Sequence, residues 1–554
     1  MTTMQKTERQ SLRRWLATLA LALLIIIAIA ASTGAFRSRE VDQPRDDKRG
    51  VAPVAEKEAS AGTAPASSTD GELARLIDQA IDTSEFASAR WGVCVLSLED
   101  GRVLYARNAD RLFTPASNMK VYTTAVALEM LGPDYRWRTS VYAAAPADPD
   151  GTIKGDLTLY GRGAPDLTSR SRKETPASLA QLADDLYQRG VRQVRGNVVG
   201  DESYFRGEPL GDGWQWNDVQ WYFGAEPSAL SIDDNEVDVE IKPSTDANAP
   251  PVARLSREAA DLQLTSDIAT VKPGEQLTVG IHRGLSDNKV HVWGEFPEGS
   301  KGFGARLSIH DPARLAATLF ISALRARGIT VNGEARTRNF RAPQNQRFNP
   351  LQATELAFVL SGSLADIIRA TNKESINLNA ELILRTLGRE RGELAPETDP
   401  HPSHERGDDE AGLAVIRLWL GRAGIGTKGL ALHDGSGLSR LDLVTPETTV
   451  RLLQAVTKGA VASIFRDSLP VAGVDGTLRG RLRLYKDRIS AKTGSLTYDN
   501  SLSGFLTTAE GASLAFSIMC NDQTGRASSI HLIDKIVEIL AEFSPNKATK
   551  PSKT

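Results

Sequence analysis

A mixed α/β fold, in which a β-rich insertion interrupts a domain of helices and strands, is predicted by three features of the sequence. Strand-like stretches open and close the globular part, at residues 91–97 and again at 488–492, 501–507 and 513–520. Helical periodicity precedes the first of these and dominates from Ala353 onward. Between 137 and 340 the texture changes to short alternating strands separated by Gly, Pro and Asp turns.

Along the chain, Lys6, Arg9, Arg13 and Arg14 precede an uncharged apolar run at 15–31. It is longer than a signal-peptide core of about 7 to 15 residues and at the short end of the roughly 17 to 25 that span a bilayer. Export follows from either. Ala28-Ile29-Ala30 offers a cleavage site, while the basic flank suits a retained anchor in the inner membrane. Residues 36–71 are rich in Ala, Pro, Ser and charge, with too little apolar surface to repay ordering, and read as a linker.

The globular part then opens on an apolar-spaced helix (Leu73, Leu76, Ile77, Ala80, Ile81), the strand 91–97, a Glu99-Asp100-Gly101 turn and a return through 103–105. In the insertion, 157–159, 237–241 and 290–293 have period two. One helix there is fully punctuated, with Asp311 as N-cap, Pro312 in the first turn and Gly328 at the stop. A closing helix spans about 530–543, and 544–554 is a lysine-bearing tail.

Composition excludes several functions. The chain has 554 residues, several times the ~150 of a typical domain, and a formal charge of −3 from 66 Lys+Arg and 69 Asp+Glu. No net positive field recruits nucleic acid. Cys94 and Cys520 are the only cysteines, too few for a disulfide scaffold or a four-cysteine metal site. His401 and His404 flank Pro402 in an acidic, apolar-poor stretch, which reads as a solvated loop because a zinc helix needs histidines at i and i+4. No metal is expected.

The chemistry sits elsewhere. No Gly-x-Ser-x-Gly elbow occurs, but Ser117-Asn118-Met119-Lys120 opens a helix that runs to Gly132, placing a hydroxyl and an amine one turn apart. A serine hydroxyl attacks only once its proton is removed, and a lysine removes it only if its pKa falls well below the usual ~10.4. Ser375-Ile376-Asn377 stands before the helical run 378–387, and Lys492-Thr493-Gly494-Ser495 ends a strand. Each motif alone is an ordinary cap or turn; the three in this order, behind an export signal, are not.

With Asp434-Gly435-Ser436-Gly437-Leu438-Ser439-Arg440, the stretch 469–478 and Gly196-Asn197-Val198-Val199-Gly200-Asp201, the sequence resembles the penicillin-recognising serine acyltransferases. Within them it is similar to the class C, type-4 penicillin-binding proteins, the D-alanyl-D-alanine carboxypeptidase/endopeptidase family, over nearly all of 72–543. The resemblance implies a serine β-lactamase/transpeptidase-like α/β (α+β) domain, its central antiparallel sheet flanked by helices. That domain would comprise 72–136 and 341–543, with an inserted domain at 137–236 and 297–340 and a nested small β subdomain at 237–296.

The resemblance also implies a periplasmic serine DD-peptidase acting on peptidoglycan stem peptides, with no cofactor and with β-lactams as covalent inhibitors. Ser117 would be acylated, Lys120 would take its proton, Ser375 would relay it, and the Ser117 and Ser495 N–H groups would hold the oxyanion. Lys492 would add the positive field that keeps Lys120 poised and, with the Thr493 hydroxyl, bind the terminal carboxylate; Gly494 and Ser495 would also bind substrate, and Asn377 would bind the substrate amide. Asp218 and Phe223, in the aromatic segment 213–223, would receive a diaminopimelate side chain, with Arg440 beside the stem; packing at a domain junction is the alternative for this segment. A β-lactamase of the same fold and a noncatalytic peptidoglycan-binding protein are the rival functions. Cys94 and Cys520 would lie on neighbouring strands, as free thiols or a disulfide.

Overall fold

The computed structural model describes residues 68–169, 174–244, 249–257, 262–395, 406–525 and 527–543. The apolar run 15–31, most of the linker, the two histidines at 401 and 404 and the tail 544–554 lie outside them. Among the described residues no helix is long and apolar enough to cross a membrane, and no group of three His, Cys, Asp or Glu residues is arranged to hold a metal ion.

Strands from the two ends of the chain meet in one five-stranded antiparallel sheet. Its order is Ile489–Leu496, Asp499–Thr507, Ser513–Asn521, Arg90–Ser97, Val103–Arg107. The first strand therefore lies directly beside the last. One face of the sheet packs on the helices Ser68–Asp82 and Ile530–Glu542 through Leu73, Ile77, Ile533 and Ile536. The first of these helices takes in the last four residues, 68–71, of the expected linker.

The other face packs on the helix Pro446–Val456, which in turn touches the helix Met119–Leu131, in which every residue from Met119 to Leu128 is buried. A helix wrapped in protein on all sides has no polar face to keep wet. Lys120 in its first turn is therefore carried out of water by the fold itself, being 0% exposed.

The insertion is built on a second five-stranded sheet ordered Ala335–Arg338, Val198–Asp201, Leu157–Tyr160, Arg138–Ala143, Thr354–Leu360. Thr354–Leu360 pairs antiparallel with Arg138–Ala143, so this strand belongs to the inserted sheet although it follows the boundary expected at 340. The helix Pro312–Arg327 is capped as anticipated: the Asp311 side chain accepts from the Arg314 N–H at 3.2 Å, and Gly328 stops it at φ +92°. The nested β unit is two three-stranded sheets. Phe303–Ser308, beyond the expected limit of 296, completes one of them against Glu236–Lys242.

Register also decides the cysteine question. Trp91 lies opposite Cys520 and Cys94 opposite Ser517. Cys94 is thus an odd number of residues from Cys520's partner, and alternate residues of a strand face opposite ways. Cys94 packs with Phe113 and Leu96 on one side, Cys520 with Trp91 and Val93 on the other. Both are free and buried, and burial pushes their thiols up to about 12 and about 11.

Candidate active site

Ser117 sits in a single 3₁₀ turn, Ala116–Asn118, rather than in the helix that follows. Lys120 lies three residues on, in the first turn of that helix, and its side chain reaches back to Ser117. Ala116 is left-handed at φ +48°, a costly conformation for a residue with a Cβ. Two glycines allow neighbours to close on this turn. A Cβ on Gly437 (φ +80°) would overlap the Ala116 carbonyl oxygen, and one on Gly494 would lie 2.8 Å from the Pro115 carbonyl oxygen and 3.0 Å from the Ser117 nitrogen.

The three sequence motifs converge there. The Lys120 amine lies 3.0 Å from Ser117 Oγ, 2.6 Å from Asn377 Oδ1 and 2.7 Å from the Ser436 carbonyl oxygen. Burial lowers its pKa from 10.5 to about 7, against the opposing pull of Asp434 and Glu381. The Asn377 amide is oriented by its other end, whose Nδ2 donates to the Phe223 carbonyl at 2.8 Å. That bond leaves the Asn377 oxygen to face the lysine.

Ser375 ends the helix Leu364–Glu374 in the left-handed conformation (φ +59°), and Asn377 begins the helix Asn377–Arg391. The tight turn between the two helices aims both side chains at the cleft. Ser375 Oγ accepts from Lys492 Nζ at 2.8 Å, and Lys492 also donates to the Thr493 carbonyl at 2.8 Å. Lys492 is 0% exposed; its pKa is held well below 10.5 by burial and then by the charge of Lys120. The strand carrying it runs on through Gly494 and Ser495 to Leu496, past the end expected at 492. Thr493 Oγ1 is 2.7 Å from Thr477 Oγ1, and Ser495 Oγ donates to Asn500 Oδ1 at 3.0 Å.

These groups open on a cleft of about 730 Å³ whose lining includes Ser117, Ser375, Asn377 and Ser495 together with Asp218, Phe223 and Arg440. Arg440 donates to the Thr497 carbonyl at 3.0 Å and lies 3.4 Å from Asp499. Asp218 is half-buried, which raises its carboxyl pKa, while Arg440 lowers it. The aromatic segment does two things. Trp214 docks it, donating from its indole to Asp434 Oδ2 at 2.9 Å, while Asp218 and Phe223 reach the cleft. A larger hollow of about 910 Å³, bordered by Trp419, Arg422, Arg451 and Lys458, contains none of these groups.

Sequence reasoning did not single out Thr477, Leu496, Tyr222, Glu236 or Arg306, all of which line the cleft. Arg306 and Glu236 come from the nested β unit as a two-contact pair (2.8 and 3.0 Å), with the Arg306 guanidinium 3.8 Å over the Tyr222 ring. No local motif marks them, since cross-strand register alone brings them to the cleft wall.

A serine hydroxyl against a buried amine, with a second buried lysine and hydroxyl across the cleft, defines a serine acyl-transfer hydrolase that uses lysine where others use histidine. Comparison with known proteins agrees. Residues 73–543 match the D-Ala-D-Ala carboxypeptidase 3 (S13) family, and the chain belongs to that family. It is 32% identical over 490 residues to a D-alanyl-D-alanine carboxypeptidase of Actinomadura sp. (strain R39), covering 86% of each chain. It is 28% identical to the D-alanyl-D-alanine carboxypeptidase DacB of Haemophilus influenzae over 77% of this chain and 84% of that one. The crystal structure of penicillin binding protein 4 from the same organism superposes with a TM-score of 0.69 at 26% identity, covering 85% of this chain and 98% of that one. The protein is a serine-type D-Ala-D-Ala peptidase, with the penicillin-binding-protein fold that the sequence resemblance implied.

Proposed function

We propose that the chain works in the periplasm, sent there by residues 15–31, and cleaves the peptide bond after a D-alanine of a diaminopimelate-containing stem through an acyl-enzyme on Ser117. One observation carries the reading: a fully buried amine, titrating near neutrality, 3.0 Å from a serine hydroxyl that opens on the cleft. Lys120 accepts the Ser117 proton as Oγ forms its bond to the substrate carbonyl carbon. The C–N bond then breaks, and Ser375, held by Lys492, passes a proton to the departing amine. Water attacks the ester, releases the shortened peptide and restores the serine.

Lys492 and the Thr493 hydroxyl suit the carboxylate of the departing residue, and Asn377 suits the substrate amide. Asp218 suits the free ammonium of diaminopimelate, with Phe223 along its methylene stem. β-Lactams enter the same cleft and acylate the same oxygen; the H. influenzae penicillin binding protein 4 has been solved with a β-lactam bound. The test is turnover. The purified protein is expected to release D-alanine from a diaminopimelate pentapeptide and to lose that activity on reaction with one equivalent of benzylpenicillin. Rapid catalytic hydrolysis of benzylpenicillin, with no action on the peptide, contradicts the reading.

A further inference from the structure

The Lys120 amine has three neighbours, and they are not equivalent. As an ammonium it can donate to all three. As a neutral base it has two N–H donors and one lone pair. Asn377 Oδ1 and the Ser436 carbonyl oxygen can only accept, whereas the Ser117 hydroxyl can donate. The two acceptors therefore take the two N–H groups, at 2.6 and 2.7 Å, and the lone pair is left facing Ser117. Whatever fixes the Ser436 carbonyl also fixes the direction of the base.

That carbonyl belongs to a loop with few ways to move. The Gly435 and Ser436 N–H groups both donate to one oxygen of Glu381, at 3.0 and 2.8 Å. Thr123, from the helix of Lys120, donates to the Gly435 carbonyl at 2.8 Å. Asp434 winds the rest of the loop around its carboxylate, accepting from the N–H groups of Ser436, Gly437 and Ser439 at 3.1, 2.6 and 2.7 Å. A Cβ on Gly435 would lie 2.8 Å from the Ala380 carbonyl oxygen, so the loop is pressed against the helix that bears Glu381. Glu381 stands one turn after Asn377 on that helix, on the same face.

We propose that Glu381 is a positioning residue of the acylation step: by holding the Gly435 and Ser436 N–H groups on one carboxyl oxygen it sets the Ser436 carbonyl that, with Asn377, turns the Lys120 lone pair toward Ser117. One helix thus orients the base twice, directly through Asn377 and through the loop by Glu381. The role asked of Glu381 is that of an acceptor at a fixed place, not of a charge. Its environment agrees, since burial and then Asp434 push its carboxyl up to about 8, with Arg385 and Lys120 opposing. Behind Asp434, Asp442 is also buried and held well above the ordinary carboxylate range.

The inference rests on Lys120 being the base for Ser117, and the experiment separates the two claims. Benzylpenicillin acylation of the full chain is followed by stopped flow, giving the dissociation constant of the first complex and the rate of the covalent step. Adduct formation on wild-type Ser117 tests the underlying reading. Glu381→Gln keeps the acceptor and removes the charge; Glu381→Asp keeps the charge and withdraws the acceptor by one methylene. The covalent step is expected to slow about 10²-fold in E381D, the scale of an ångström-level misplacement, with the dissociation constant unchanged. E381Q is expected to recover most of that loss. The reverse order, with E381D fast and E381Q slow, assigns Glu381 an electrostatic role and overturns the proposal. So do two variants that both acylate at the wild-type rate, two that are equally slow, or an effect confined to the dissociation constant.

Discussion

The split domain and the insertion face the same cleft with different chemistry. The split domain supplies Lys120 and Lys492, both buried, and the hydroxyls of Ser117 and Ser375, joined to them by hydrogen bonds of 3.0 and 2.8 Å. The insertion supplies Asp218, Tyr222, Phe223 and Arg306, half-buried or exposed and turned toward whatever enters. Reactivity comes from removing ionisable groups from water, which demands close packing on every side. Recognition needs groups that exchange water for ligand, so it is placed on a part of the chain that packs less tightly around them. The Asn377 amide links the two by donating to the Phe223 carbonyl.

If this division holds, the largest effects belong to the split domain. Lys120→Arg replaces a base by a group that stays protonated, and the acylation rate measured with benzylpenicillin should fall by about 10²–10⁴-fold, the usual span of general-base catalysis. In the wild type, the pKa of about 7 fixes the sign of the pH dependence. The neutral amine is the active form, so acylation should hold above pH 7 and fall about tenfold per unit below it; a rate flat from pH 5 to 8 would remove Lys120 from the role.

Smaller effects should mark the supporting turn and then the insertion. Gly437→Ala places a Cβ against the Ala116 carbonyl at φ +80°. A loss of about 1–3 kcal/mol in a thermal or urea melt is expected from that strain, with slowed acylation. Asp218→Ala should raise KM for diaminopimelate peptides about tenfold, as expected for a lost charge-assisted contact on a half-exposed site, and leave benzylpenicillin acylation nearly untouched. Equal damage to both reactions would erase the distinction between the two regions. The smallest effect concerns the cysteines, where thiol titration in denaturant should find two free groups even in protein prepared under oxidising conditions.

Much of this was legible in the chain and some was not, for reasons that differ by residue. Ser117, Lys120, Ser375, Asn377 and Lys492 stand in short motifs because each pair is carried by one turn or one strand, so the spacing that chemistry needs is also a spacing in sequence. The capped helix at 312–327 was legible for the same reason. Asp434 was legible as part of its motif, but Glu381 was not, because its contacts run from a helix to a loop far apart in the chain. Arg306 and the strand Thr354–Leu360 depend on strand pairing, which alternation alone does not specify. The cysteines show the limit most plainly. Their neighbouring strands were expected, but the parity of the register put them on opposite faces.

The central claim is that Ser117 is the acylated oxygen, and mass spectrometry of the full chain after exposure to benzylpenicillin tests it most directly. The account predicts one adduct, on the peptide containing Ser117, and none in the Ser117→Ala protein. An adduct on any other serine, or labelling that survives the substitution, contradicts it.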